Sequence, residues 1–144
     1  MEDRIFAVID TNVLVSALLS PNNESPPLTV MANVFAGTIT PVYNTEIIDE
    51  YRSVLKREKF HFDPVDVETV INVFLQYGLN LERTEVNDEV FLDPKDMVFY
   101  EVKMSKDDAY LITGNTRHFP KQPFVITPRE MVDILVSDHG DSSR

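Results

Sequence analysis

Two rhythms alternate along this chain. Short unbroken apolar runs, Phe6 to Ile9 and Ala109 to Ile112, stand where a strand buried on both faces would lie. Between them come longer stretches whose apolar residues recur every three or four positions, the spacing of amphipathic helices. Residues 6–20, FAVIDTNVLVSALLS, contain one of each. An apolar strand runs into Asp10-Thr11-Asn12, and Val13, Leu14, Ala17 and Leu18 then continue at helical spacing until Pro21-Asn22-Asn23.

The remaining elements follow the same grammar. Leu28, Met31, Val34 and Phe35 form a helical stripe after Pro26-Pro27, with Gly37 as its C-cap. Residues 39–43 read as a short strand in which Pro41 signals an edge, an end or an irregularity. Asn44 caps a helix over 45–60, with Ile47, Tyr51, Val54 and Leu55 inward and Lys56, Arg57 and Lys59 in its last turn. Asp63-Pro64 opens another helix that Gly78 stops, and Asp93-Pro94 opens a third that runs to about Met104. Leu79 to Leu81 and Val90-Phe91 fit strand or loop equally, and Phe124 to Ile126 is a last short strand. Thr127-Pro128-Arg129-Glu130 is a capping box opening the final helix, and the polar stretch 137–144 reads as a flexible tail after a domain spanning 1–136.

Strands alternating with helices predict an α/β fold, a parallel sheet covered on both faces. The 144 residues suit one such domain. With no cysteine there is no disulfide, thiolate metal site or thiol nucleophile. A strand begun by Ile5 leaves no room for a signal peptide, and no apolar run approaches a membrane span, so a soluble cytoplasmic protein is expected. Net charge is −11, which argues against a broad nucleic-acid-binding face but suits a carboxylate site that gathers divalent cations. Acid excess is densest between Glu82 and Glu101, a pattern that most simply marks solvated surface.

Candidate chemistry lies where strands end. Right-handed crossovers bring the carboxyl ends of parallel strands to one edge, where open α/β sheets bind ligands. Asp10 and the Thr113-Gly114-Asn115 turn both fall at that edge. Asp10 could instead be a helix cap, as could Thr11 or Asn12. Glu46 and Glu50 share a helix face beside the apolar stripe, where either could reach over the sheet or point into water. Asp93 looks like a cap, and Asp96 sits near the positive end of the same helix.

Taken together, IDTNVLVSALLSP (9–21), EIIDEYRSVL (46–55), and DPKDMVFYEV (93–102) followed by AYLITGNTRHFP (109–120) resemble PIN domains. The resemblance is to the VapC-like group, the toxin components of toxin–antitoxin pairs, and it covers essentially the whole domain. It implies a three-layer α/β/α sandwich and a metal-dependent ribonuclease site built from acids. Matched position by position, the acids are Asp10, Glu50 and Asp96, with Asn12 and Thr113 supporting them. The fourth acidic position is occupied by Asn115, whose amide offers an oxygen but no charge.

Clustered carboxylates repel one another unless a cation neutralises them, and phosphodiester cleavage uses Mg²⁺ or Mn²⁺ held in this way. On this assignment Asp10 and Asp96 are the principal metal ligands. Glu50 binds water in the metal's shell or serves as base, and Asn115, Asn12 and Thr113 orient the shell. The resemblance further implies an RNA substrate, a small antitoxin protein as partner, and a homodimer. Arg52, Lys56, Arg57, Arg117, His118 and Lys121 are the basic groups that could meet RNA, although a loop histidine such as His118 is more often incidental. A PIN domain weakened by Asn115 and acting as an RNA- or protein-binding module is the alternative. A haloacid-dehalogenase-type phosphatase would want a second acid two residues after Asp10, where Asn12 stands.

Overall fold

In the computed structural model, which describes residues 4–21, 23–91 and 93–142, the apolar runs pair into one parallel sheet. Its strands are β1 (Ile5–Ile9), β2 (Ile39–Tyr43), β3 (Leu79–Asn80), β4 (Tyr110–Ile112) and β5 (Val125–Ile126), in the order β3-β2-β1-β4-β5. β1 and β4 carry the unbroken apolar runs because they lie inside the sheet, with Ala7, Val8, Ile9, Leu111 and Ile112 fully buried. The helices are α1 (Thr11–Leu19), α2 (Pro26–Ala36), α3 (Thr45–Leu55), α4 (Pro64–Tyr77), α5 (Pro94–Lys103) and α6 (Pro128–Ser142). α1, α2 and α6 pack on one face and α3, α4 and α5 on the other, giving the α/β/α layering expected of the sequence.

Most helix boundaries follow from their caps. The side chains of Ser25, Asn44, Asp63 and Asp93 each accept a backbone N–H in the first turn of α2, α3, α4 and α5. The capping box of α6 closes in both directions: Glu130 accepts from the Thr127 N–H at 2.9 Å, and the Thr127 hydroxyl accepts from the Glu130 N–H at 3.1 Å. Gly37 takes the left-handed conformation, φ 88°, that ends α2.

Other expectations are revised. α3 stops at Leu55 instead of running to Phe60; the basic residues beyond it enter a separate 3₁₀ turn, Glu58–Phe60. Val90 and Phe91 form no strand, whereas Leu79 and Asn80 do. α6 continues to Ser142, through all but the last two residues of the stretch read as a flexible tail; Ser143 and Arg144, like Asn22, lie outside the described residues.

Pro41 lies on an interior strand, paired with Ala7 of β1, and not on a sheet edge. Pairing of β2 with β3 starts only at Val42, and the Pro41 carbonyl oxygen faces Gly78, just before β3 begins. The missing N–H of proline therefore falls where no ladder bond is made. That junction also requires glycine. A Cβ on Gly78 would lie 2.5 Å from the Phe74 carbonyl oxygen and 2.7 Å from that of Pro41, both backbone atoms that cannot swing aside. Gly78→Ala is expected to destabilise the fold by about 1–3 kcal/mol, measured by urea denaturation, through overpacking and not through φ strain.

The acidic stretch 82–101 is not merely solvated surface. Glu101 of α5 is buried; it accepts from Arg83 Nε at 2.8 Å and from the Val86 N–H at 2.8 Å. Arg83 also reaches Glu46 of α3 at 3.0 Å. The segment after β3 is thus strapped across α3 and α5, the two helices that carry Glu50 and Asp96.

Candidate active site

β1 is followed in the chain by β2 on one side of it, while β4 lies on the other, so the order reverses between β1 and β4. A crevice opens at the carboxyl ends of strands at such a reversal. The register pairs Ile9 with Ile112, which sets the next residues, Asp10 and Thr113, side by side. The Thr113 hydroxyl donates to Asp10 Oδ2 at 2.7 Å, and the Thr11 N–H donates to Asp10 Oδ1 at 2.9 Å. Asp10 is therefore both the cap of α1 and a member of the crevice. The two readings of the sequence are compatible because the carboxylate has two oxygens.

The turn after β4 is fastened to the start of α1. Asn12 Oδ1 accepts from the Gly114 N–H at 3.0 Å, and Thr113 Oγ1 accepts from the Asn115 N–H at 3.0 Å. Asn12 and Thr113 thus tie the turn after β4 to the start of α1 and to Asp10. Asn115 is engaged with the turn's histidine. Its Nδ2 lies 2.9 Å from His118 Nε2, and His118 Nδ1 lies 3.7 Å from Asp96 Oδ2. The Nε2 side of the ring thus meets Asn115 and the Nδ1 side faces Asp96. His118, which the sequence offered as a group that could meet RNA while favouring an incidental loop histidine, lies beside Asp96.

Tyr51 determines where Glu50 can be. Its ring is fully buried, edge-on to Phe74 of α4 at 5.3 Å and tilted against Phe99 of α5 at 6.2 Å. Its hydroxyl donates to the carbonyl of Ile9, the residue before Asp10. The same tyrosine thus joins α3, α4 and α5 to the end of β1 and brings the neighbouring Glu50 to the crevice. Sequence reading assigned Tyr51 to the core stripe and missed this anchoring role; a lone tyrosine among aliphatic stripe positions was the available signal, since a buried hydroxyl needs an acceptor.

Glu50 and Glu46 separate clearly. Glu46 is taken up by Arg83 and by Asn44 Nδ2. Glu50 lies 3.5 Å from Lys95 Nζ, and its charge is felt at both Asp10 and Asp96. Likewise Asp93 is spent on the α5 cap, accepting from the Lys95 N–H, while Asp96 faces the crevice. Of the basic groups expected near RNA, Arg52 and Lys56 are paired with Glu68 of α4.

The electrostatics of the crevice are those of acids held too close together. Burial pushes the Asp96 carboxyl up to about 6, with the charges of Asp10, Asp93 and Glu50 adding and His118 opposing. Burial also raises Asp10 above the usual aspartate range, against the hydrogen bonds from Thr113 and Thr11. Among the described residues the acids do not close into a ready cage of three donors; Glu50 leans on Lys95 and Asp96 on His118. The donor set is nonetheless all oxygen, anionic and short of positive charge, which fits a hard divalent cation.

The sequence profile of the PIN domain matches residues 7–117, from within β1 to the 3₁₀ turn that holds His118. The chain belongs to the PIN domain family. No curated protein matches this PIN domain in sequence. Among solved structures it is similar to VapBC2 from Rickettsia felis bound to a DNA fragment from their promoter. The TM-score is 0.52, with 14% identity over 85% of this chain and 97% of that one, a likeness of fold.

Proposed function

We propose that this PIN domain is a metal-dependent ribonuclease that cleaves RNA phosphodiester bonds, using Mg²⁺ or Mn²⁺. The observation that carries the reading is the convergence of Asp10, Glu50 and Asp96 at the strand-order reversal, with Asp96 held at about 6 by its surroundings. Asp10 and Asp96 would hold the ion, each at the N-terminal end of a helix, and Glu50 would hold a water or accept its proton. A divalent ion there supplies charge for the phosphate and acidity for the attacking water. Asn12 and Thr113 keep Asp10 fixed, and Asn115 and His118 set the position of Asp96. The likeness of fold to VapBC2 supports placing this chain as the toxin-like half of a pair, with an antitoxin protein as partner.

The test is incubation of the purified chain with a mixed pool of single-stranded and structured RNA in each metal. Cleavage that stops with EDTA and returns with added Mn²⁺ is the expected result. Intact RNA in both metals, from protein free of any co-purified inhibitor, would favour a binding module with a weakened site.

A further inference from the structure

α4 leads straight into β3, and its end lies against the sheet: Gly78 faces the carbonyl of Pro41, and the Leu75 carbonyl accepts from the Tyr43 hydroxyl at 3.4 Å. A helix that returns the chain between parallel strands runs antiparallel to them. The first turn of α4, about 20 Å from its last at a rise of ~1.5 Å per residue, therefore stands beyond the carboxyl edge of the sheet. That is the edge that holds the crevice. Residues 56–63, which join α3 to α4, stand there too and begin six residues after Glu50.

This turn reads KREKFHF over 56–62. Phe62 packs against the core, and Phe60 is stacked on it, with ring centroids 5.2 Å apart and planes 9° from parallel. His61 between them takes the left-handed conformation, φ 56°, which L side chains adopt at a cost. Phe60 is half-buried, and Lys59 Nζ lies 5.1 Å over its ring. Arg57, Glu58, Lys59 and His61 are exposed, and among the described residues neither Arg57 nor Lys59 is paired with a carboxylate. Of the acids that follow, Asp63 is taken up by the α4 cap and Glu68 by Arg52 and Lys56.

With a net charge of −11, most of this surface repels a phosphate backbone, whereas here it meets uncompensated cations. An aromatic ring held parallel to its neighbour, with a lysine on its face, offers a base a π-surface and the next phosphate a positive charge. Bases inside a duplex are already stacked, so such a platform selects unpaired ones.

We infer that Phe60 is a stacking platform for one unpaired base of the RNA that enters the crevice, with Lys59 turning from the ring to the adjoining phosphate, so that the substrate is single-stranded. The inference rests on the RNA reading above and adds no chemical step.

The chain has no tryptophan, so Phe60→Trp installs a single fluorophore while keeping a ring in the stack. Its emission is expected to be quenched by single-stranded RNA of mixed sequence in EDTA, and not by the duplex of the same sequence. Phe60→Ala should bind the labelled single strand roughly 5–100-fold more weakly, the cost of one lost base stack, with the same dependence on salt. Lys59→Met should lower the slope of log K against log salt by about 0.7, one phosphate contact. A stack that served the fold alone would move neither quantity. In Mn²⁺, Phe60→Ala should cleave with a raised KM at nearly the wild-type kcat. Emission unmoved by single-stranded RNA, equal affinity of Phe60→Ala, or a dimer that Phe60→Asp splits into monomers, making the stack a subunit contact, would each overturn the inference. Metal-dependent cleavage by wild type would then leave the nuclease reading standing. Quenching without cleavage in either metal would overturn the nuclease reading and leave the platform in place.

Discussion

Asp10→Asn is expected to lower the initial rate of metal-dependent RNA cleavage by roughly 10²–10³-fold, the usual cost of deleting one preorganised electrostatic contact in an active site. The substitution is nearly isosteric and keeps the cap, since the amide oxygen can still accept from the Thr11 N–H. The amide nitrogen would then face the Thr113 hydroxyl, which now accepts where it had donated. That exchange leaves one hydroxyl proton without its buried partner, at a cost of about 1 kcal/mol. Loss of a desolvated charge offsets it, so the fold should survive and circular dichroism should be unchanged. The rate comparison is decisive when run beside Glu46→Gln, because Glu46 belongs to the Arg83 strap and should leave the rate as in wild type. Equal cleavage by wild type and Asp10→Asn would place the chemistry elsewhere.

The sequence carried the site's strand-borne half more fully than its helix-borne half. Asp10 and Thr113 were legible because an unbroken apolar run is followed at once by polar residues, and parallel topology places all such ends at one edge. Glu50 and Asp96 sit on helices, where periodicity leaves two acids one turn apart equally placed. What separates Glu50 from Glu46 is Arg83, a contact across the fold, and what separates Asp96 from Asp93 is which carboxylate the cap of α5 takes up. Arg83 lies 37 positions from Glu46 and 18 from Glu101, beyond any local pattern. His118 was undervalued for the same reason: its relation to Asp96 exists only once α5 and the turn after β4 are side by side. Pro41 shows the converse, a local rule that left an edge, an end or an irregularity open and was settled only by the fold, because β3 is too short to pair with all of β2.

Asp96→Asn should stabilise the protein in EDTA at pH 7.5 even as it removes a proposed metal ligand. In the folded state the Asp96 carboxyl titrates at about 6, above the ordinary aspartate value. Between about pH 4 and 6 the native state therefore binds more protons than the unfolded chain. Stability from this group is full at the acid end and is lost as pH rises through about 6. Holding the ionised carboxylate in the fold at neutral pH thus costs roughly 3 kcal/mol. Against this, a carboxylate in the first turn of α5 gains about 0.3–1 kcal/mol from the helix dipole, which asparagine forfeits. Desolvation and repulsion win, leaving a net gain on the order of 2 kcal/mol for the variant. In a domain of this size that is a rise in Tm of roughly 4–8 °C. The variant's stability should also fall less than that of wild type between pH 4 and 7. Divalent ions reverse the order of advantage: Mn²⁺ should raise the wild-type Tm more than that of Asp96→Asn, because the cation relieves the repulsion that the amide has already removed. A variant less stable than wild type in EDTA, or with the same pH profile, would mean that Asp96 is not strained by its surroundings, and the charge deficit on which the metal reading depends would be gone.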